Sequence, residues 1–317
     1  MLRRLWQRGM IGLAGSPTAK RLMQHSRAGR ALSARYNGGA TAAQVVESAE
    51  RLLGQGLRAS LFYLGEYVST RELVDLNLRE IGAAVAAVAH GGADAHVSVD
   101  PTQIGHGVDD ALLRPNALTI ATAIAAIPAR PGRVRLMMLD MEDASLNDPT
   151  IALHDELKDR GLPVGVTVQA YLRRTEADLA RLIVAGATVR LVKGAFVAGS
   201  DISFSRQDEI KDNYRKLMAM MLSPAARAAG FYPIIATHDD TLHEEAVVLA
   251  RANGWRPHDY EFEMLMGVRS DVAARLAARG ERVRLYLPFG VDWFPYAMRR
   301  IGENPRNGVL LARSLLG

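Results

Sequence analysis

Eight short β-rich segments alternate with helical patterns along this chain, and that rhythm limits the fold more than any other feature of the sequence. The segments are RASLFYLGE (58–66), AHVSVDP (95–101), RVRLMMLDMED (133–143), PVGVTVQAY (163–171), ATVRLVKGAF (187–196), YPIIATHDD (232–240), DYEFEML (259–265) and RVRLYLPFG (282–290). Between them, stretches such as DPTIALHDELKDRG, TEADLARLIVAGA, DDTLHEEAVVLARANG and SDVAARLAARGE repeat apolar residues at helical spacing, several with Asp, Ser or Thr caps and Gly stops. A parallel neighbour is reached only through a crossover, so strands separated by helices imply a parallel sheet, and eight such units close a (β/α)8 barrel. An open doubly wound sheet is the alternative on pattern alone. The expected organisation is an N-terminal helical arm over residues 1–57 and a barrel over residues 58–317.

A barrel places its chemistry at the C-terminal ends of its strands. In chain order these ends offer Glu66, Asp100 with Gln103, Asp140 with Glu142 and Asp143, and Gln169 with Arg173 and Arg174. Then come Arg190 and Lys193, Thr237 with His238 and Asp239, Glu261 with Glu263, and Tyr286 ahead of the pair Arg299 and Arg300.

Composition removes several chemistries. The chain has no cysteine, which excludes disulfides, thiolate zinc sites and cysteine nucleophiles. Its histidines are scattered, without HxH or HExxH spacing, which argues against a metal. No apolar run approaches the ~20 residues that span a bilayer. Charge is uneven: residues 1–36 hold eight Lys or Arg and no acid, which leaves the remainder at −3 against a whole-chain charge of +5. The basic start reads as an organelle transit peptide, an interfacial amphipathic helix or a plain helical arm. No recognisable nucleic-acid module accompanies it, so a nucleic-acid partner is not expected.

Four motifs carry the candidate chemistry. VRLVKGAF sets Arg190 and Lys193 beside Gly194, whose missing side chain lets a ligand approach the backbone. It suits an anionic cofactor, a Schiff-base lysine or a structural cation pair. ATHDD offers Thr237, His238 and Asp239 for phosphate or ribose, with a metal site or a capped helix start at Asp239 and Asp240 as the other readings. In LDMEDAS the acid best placed to reach a substrate is Asp140, Glu142 lying further out on the same face; these acids could instead fill the mouth by pairing with Arg190. Two carboxylates also leave a glycosidase open on composition. Arg299 and Arg300 suit a carboxylate clamp, since planar guanidinium grips two oxygens, provided the ligand sits near the start of their helix. The bland alternative is two surface arginines.

Together, YLGEYV, LDMED, VQAYLRRTEADL, RLVKGAF, ATHD, YEFEMLMGVR and VRLYLPFGVDWFPYAMRRIGENPRN resemble the proline dehydrogenase family in its short, monofunctional bacterial form, over roughly residues 58 to 315. The resemblance implies a distorted (β/α)8 barrel that binds FAD and oxidises L-proline to 1-pyrroline-5-carboxylate by hydride transfer to flavin N5, the first step of proline breakdown to glutamate. A quinone takes the electrons, and the protein is cytoplasmic, peripheral on the inner face of the membrane through its basic arm. By match to the family's motifs, Arg299 and Arg300 hold the substrate carboxylate, Tyr286 packs over the ring, Asp140 lies beside the substrate and Arg190 near the flavin's reactive edge. Met141, Gln169, Lys193, Gly194, Ala195, Thr237 and His238 contact FAD, and Glu66 and Glu303 are partners for the buried cations.

One departure stands out. Where the family carries a substrate-binding lysine after the second strand, this chain reads SVDPTQIG with Asp100, and no lysine occurs between Lys20 and Lys158. Like charge near a bound carboxylate weakens binding. Asp100 therefore pairs with Arg299 or Arg300, weakens proline binding, or favours a modified proline or another cyclic amine. A Schiff-base lyase built on Lys193 is the rival activity, and a barrel that keeps FAD without catalysis is the rival outside enzymes.

Overall fold

Branched and long apolar residues dominate the eight segments, and in the computed structural model each forms a strand: β1 Arg58–Tyr63, β2 Ala95–Val99, β3 Arg135–Leu139, β4 Val164–Gln169, β5 Thr188–Val192, β6 Tyr232–Ala236, β7 Glu261–Leu265 and β8 Val283–Phe289. The structure describes residues 10, 12–14, 16–65 and 68–303, and of residues 17, 25, 28 and 303 the backbone alone. Neighbours in sequence are neighbours in the sheet, and β8 closes on β1. Every pairing is parallel, with Ser60 opposite Tyr286 and Arg190 opposite Ile234. The expected closed barrel is the observed one; the open sheet is not.

Successive strand residues point to opposite faces. The outward set, including Leu61, Val97, Met137, Val166 and Val189, joins the surrounding helices in the main core. The inward set is divided by chemistry. Leu136, Met138 and Ile234 form an apolar cluster, and Gly165 makes room for it, since a Cβ there would lie 2.8 Å from Met138 Cε. Ser60, His96, Ser98, Arg190, Glu261, Glu263 and Arg284 make the rest of the interior polar and almost wholly buried. Helix starts follow the expected signals: the side chains of Thr41, Thr70 and Asp239 accept backbone N–H groups two or three residues on.

Two arm helices, Pro17–His25 and Arg27–Tyr36, pack on the last described helix, Trp293–Glu303. Met23, Leu32 and Tyr36 join Phe62, Leu64, Phe294, Met298 and Ile301 in a second buried cluster. The following helix, Ala42–Gly54, inserts Val45, Val46 and Ala49 into the main core, although it precedes the boundary expected at residue 58.

Candidate active site at the barrel mouth

A guanidinium taken out of water needs its charge and its donors satisfied. Arg190 is 3% exposed. Its Nε and Nη2 each donate to a Glu263 oxygen at 2.8 Å, and Nη1 donates to Asp140 Oδ1. Nη2 also reaches Ser98 Oγ at 2.9 Å and Ser60 Oγ at 3.3 Å. Asp140 Oδ1 accepts from the Thr167 hydroxyl at 3.2 Å, and Oδ2 accepts from the Tyr286 hydroxyl at 2.7 Å. Six strands and the turn after β3 thus converge on one carboxylate–guanidinium group.

Its electrostatics follow from this closure. Burial opposes the Arg190 charge, but Glu263, Asp140 and Tyr286 outweigh it and hold the guanidinium above its ordinary range. Burial pushes Glu263 upward against the pull of Arg190 and Arg284. Burial, then Asp140 and Asp100, push the Tyr286 phenol well above its usual value. Tyr286 therefore keeps its proton at neutral pH and acts as a donor. Its ring lies 5.0 Å from that of Phe62, with the Arg190 Cζ 5.4 Å from its centre.

The other expected residues surround this group. Asp100 follows β2, half-buried, its N–H donating to Gln103 Oε1 at 3.0 Å, and its charge helps to raise the Tyr286 phenol. Glu142 turns to Thr102, accepting from its N–H at 3.0 Å and its hydroxyl at 2.8 Å. Arg299 and Arg300 are half-buried, but they are the seventh and eighth residues of the eleven in Trp293–Glu303. They thus lie in the second half of that helix, beyond the turn PFGVDWFP. Arg300 Cζ is 5.2 Å from the Tyr296 ring centre.

His238 is pulled down to about 4, first by burial and then by Arg300, His243 and Arg269. Its Nε2 accepts the Leu265 N–H at 3.0 Å, so the neutral ring carries its proton on Nδ1. The Thr237 carbonyl meets His243 Nε2 at 3.0 Å. Asp239 caps Asp240–Ala252 by accepting from Thr241 N–H at 3.0 Å, which was the bland reading of that motif.

At the ends of β4 and β5 the chain leaves groups unspent. Gln169 is 1% exposed. Its Nε2 donates to the Met141 and Glu142 carbonyls at 2.7 and 2.8 Å, while its Oε1 has no hydrogen-bond partner among the described residues, nor has the buried Tyr171 hydroxyl. Buried polar atoms in folded proteins are rarely left so. Gly194 adopts φ +95°, and a Cβ there would fall 2.1 Å from the Tyr171 ring, so only glycine keeps this backbone bare. A buried acceptor, an open backbone and, at the end of β6, the Nδ1–H of His238 near the Arg300 charge fit a planar ring with N–H donors and an anionic tail. Lys193 is exposed and donates to Gln207 Oε1, with Ala195 exposed close by, whereas a Schiff-base lysine sits in a desolvated pocket. Glu66 lies outside the described residues, as does the side chain of Glu303.

Sequence reasoning noted Glu261 and Glu263 at a strand end without giving them roles, and it passed over Ser60, Ser98 and Thr167. The signal for the glutamates was available: two acids spaced by two on a short strand share one face, and on the buried axis of a barrel they demand cations. The hydroxyls gave none.

The comparisons with known proteins agree with this geometry. The sequence profile described as proline dehydrogenase matches residues 45–313. Proline dehydrogenase 2 of Bacillus subtilis is 31% identical over 262 residues, 83% of each chain. A proline dehydrogenase of Deinococcus radiodurans is 30% identical over 322 residues, 100% of this chain and 99% of the other. Among solved structures, proline utilization A from Bdellovibrio bacteriovorus, inactivated by N-propargylglycine, superposes with a TM-score of 0.76 at 19% identity, over 86% of this chain and 32% of that longer one. That likeness concerns the fold. The profile and the relatives go further, and on them this chain belongs to the proline dehydrogenase family of enzymes.

Proposed function

We propose that this chain oxidises L-proline to 1-pyrroline-5-carboxylate with FAD held at the barrel mouth and a quinone as the final acceptor. The observation that supports it best is the Arg190–Asp140–Tyr286 group, a hydrogen-bonded wall that opens to the mouth through Asp140. FAD, when bound, supplies a hydride acceptor at its N5. Gln169 Oε1, the bare backbone at Gly194 and Ala195, Met141, Lys193, Thr237 and His238 would hold it. Arg299 and Arg300 grip the substrate carboxylate, and the Tyr286 ring limits how the substrate ring lies. Because the Tyr286 proton stays on its oxygen, Asp140 is held by three donors and keeps its orientation beside the substrate. Arg190, pinned by Glu263, keeps a fixed positive charge under the reacting atoms without moving during the reaction.

A second reading follows from Asp100. Its charge is felt at Tyr286, where it disfavours a free carboxylate, and a modified proline or other cyclic amine would escape that repulsion. We further place the protein in the cytoplasm, with the basic arm touching the inner membrane surface; no helix among the described residues is long and apolar enough to cross a membrane.

The test is a visible absorbance spectrum of the purified protein before and after anaerobic L-proline. A flavin band that bleaches is expected. A band bleached by proline amide or pyrrolidine and not by proline would favour the second reading, and a colourless protein trapped on Lys193 by borohydride would sink both.

A further inference from the structure

We propose that the buried hydroxyls of Ser60 and Ser98, anchored by His96, are positioning residues for the oxidation: they hold the Arg190 guanidinium from the far wall of the barrel and fix the angle at which it meets Asp140. Arg190 stands on β5, which lies across the closed ring of strands from β1. Glu263 on β7 accepts from Nε and from Nη2, while Asp140, the partly exposed end of the group, accepts from Nη1. That leaves the second Nη2 hydrogen. It must find an acceptor inside the barrel, or the buried cation tilts away from Asp140 to reach one. The acceptors are Ser98 on β2, 2.9 Å from Nη2, and Ser60 on β1, 3.3 Å from it. Both hydroxyls and the His96 ring are wholly buried.

Hydroxyls suit this place for a reason of charge. Two carboxylates already face the one guanidinium, so a third acid would add buried negative charge, and an alkyl side chain would leave a charged donor unpaired. A hydroxyl accepts the bond and adds no charge. The pair is also directed. Ser60 Oγ lies 2.8 Å from Ser98 Oγ and 2.8 Å from His96 Nδ1. Burial, then Arg284 and Arg190, keep the imidazole neutral. Its Nε2 has no hydrogen-bond partner among the described residues. A bare lone pair is easier to bury there than an unpaired N–H, which sets the proton on Nδ1. His96 then donates to Ser60 and Ser60 to Ser98, so that each hydroxyl oxygen keeps a lone pair for Nη2.

This role rests on the reading of Arg190 as the fixed charge beside the flavin. Holoenzyme carrying Ser98→Ala, alone and with Ser60→Ala, would be compared with the parent in melting temperature, flavin per chain, flavin midpoint potential by anaerobic dithionite titration, and kcat and KM for L-proline. Expected for Ser98→Ala is a kcat per bound flavin about tenfold lower, with KM within about twofold of the parent because the arginine pair is untouched. The midpoint potential should fall, since a loosened cation stabilises the reduced flavin less. The double variant should exceed the single one in both effects, while flavin content and melting temperature of Ser98→Ala stay near the parent. A lower melting temperature and flavin content with parental kcat per bound flavin and parental potential would make the hydroxyls structural and overturn the proposal. Parental values throughout would overturn it too. A parent whose bound flavin proline does not reduce would sink the substrate reading alone, since the potential shift still decides the role of the hydroxyls; a parent without flavin would sink both.

Discussion

Arg190 and Arg284 are both buried, and each is gripped through two oxygens by a glutamate of β7, Glu263 and Glu261, two residues apart. Their surroundings make them different devices. Arg284 is 0% exposed, and its donors are spent on Glu261 at 2.7 and 3.0 Å, Asp94 at 3.1 Å and the Ala59 carbonyl at 2.7 Å. Asp94 in turn accepts from Arg58 at 2.8 Å and Val134 N–H at 3.0 Å. Arg190 spends its last donor on Asp140, whose side chain remains 14% exposed and shares its other oxygen with Tyr286. One ion pair is sealed within the floor of the barrel. The other opens by a single carboxylate onto the mouth, and that opening makes a structural motif usable for chemistry.

Substitutions can break this comparison at chosen points. Arg190→Met should have the largest effect, lowering kcat/KM by about 10²–10³ by removing a fixed charge from the site, with a fall in stability as well; near-parental turnover would show that Arg190 is only a second Arg284. Arg284→Met should cost about 3–5 kcal/mol of stability by stranding Glu261 and Asp94, while kcat of the folded fraction, measured by calibrated active-site content, stays close to the parent value. Next, Tyr286→Phe removes one donor to a carboxylate and should lower kcat/KM about tenfold with little change in melting temperature. A comparable loss of stability instead would assign the bond to folding.

The smallest effect at neutral pH is expected from His96→Gln. His96 lies between the two systems: its Nδ1 is 2.8 Å from Ser60 Oγ, and burial, then Arg284 and Arg190, hold its imidazole well below the ordinary value. The fold thus excludes a proton that the unfolded chain accepts, so this contribution is complete above the ordinary imidazole value of about 6.5 and is lost as pH falls below it. Melting temperatures recorded against pH should decline less steeply on the acid side in the variant. Identical slopes would remove His96 from the account.

Much of this was legible in the order of residues. Alternating strand and helix patterns determined the barrel, because periods of two and 3.6 are local properties and a parallel sheet of eight crossover units has few ways to close. Asp140, Arg190 and Tyr286 could be named because strand ends in a barrel face one opening. Their bonds could not. Whether Arg190 meets Asp140 or solvent depends on side chains from β1, β2, β4 and β7, separated from it by between 23 and 130 positions along the chain and joined only when the barrel closes.

The sequence by itself thus determined the barrel, the family resemblance and the pool of charged residues at the mouth. The tertiary structure decided which glutamate neutralises which arginine, how far along their helix Arg299 and Arg300 sit, and that Gln169 keeps an unspent acceptor. The reason is physical: hydrophobic periodicity is written in neighbouring residues, whereas desolvation and charge pairing belong to whichever distant groups the closed barrel brings within hydrogen-bond reach.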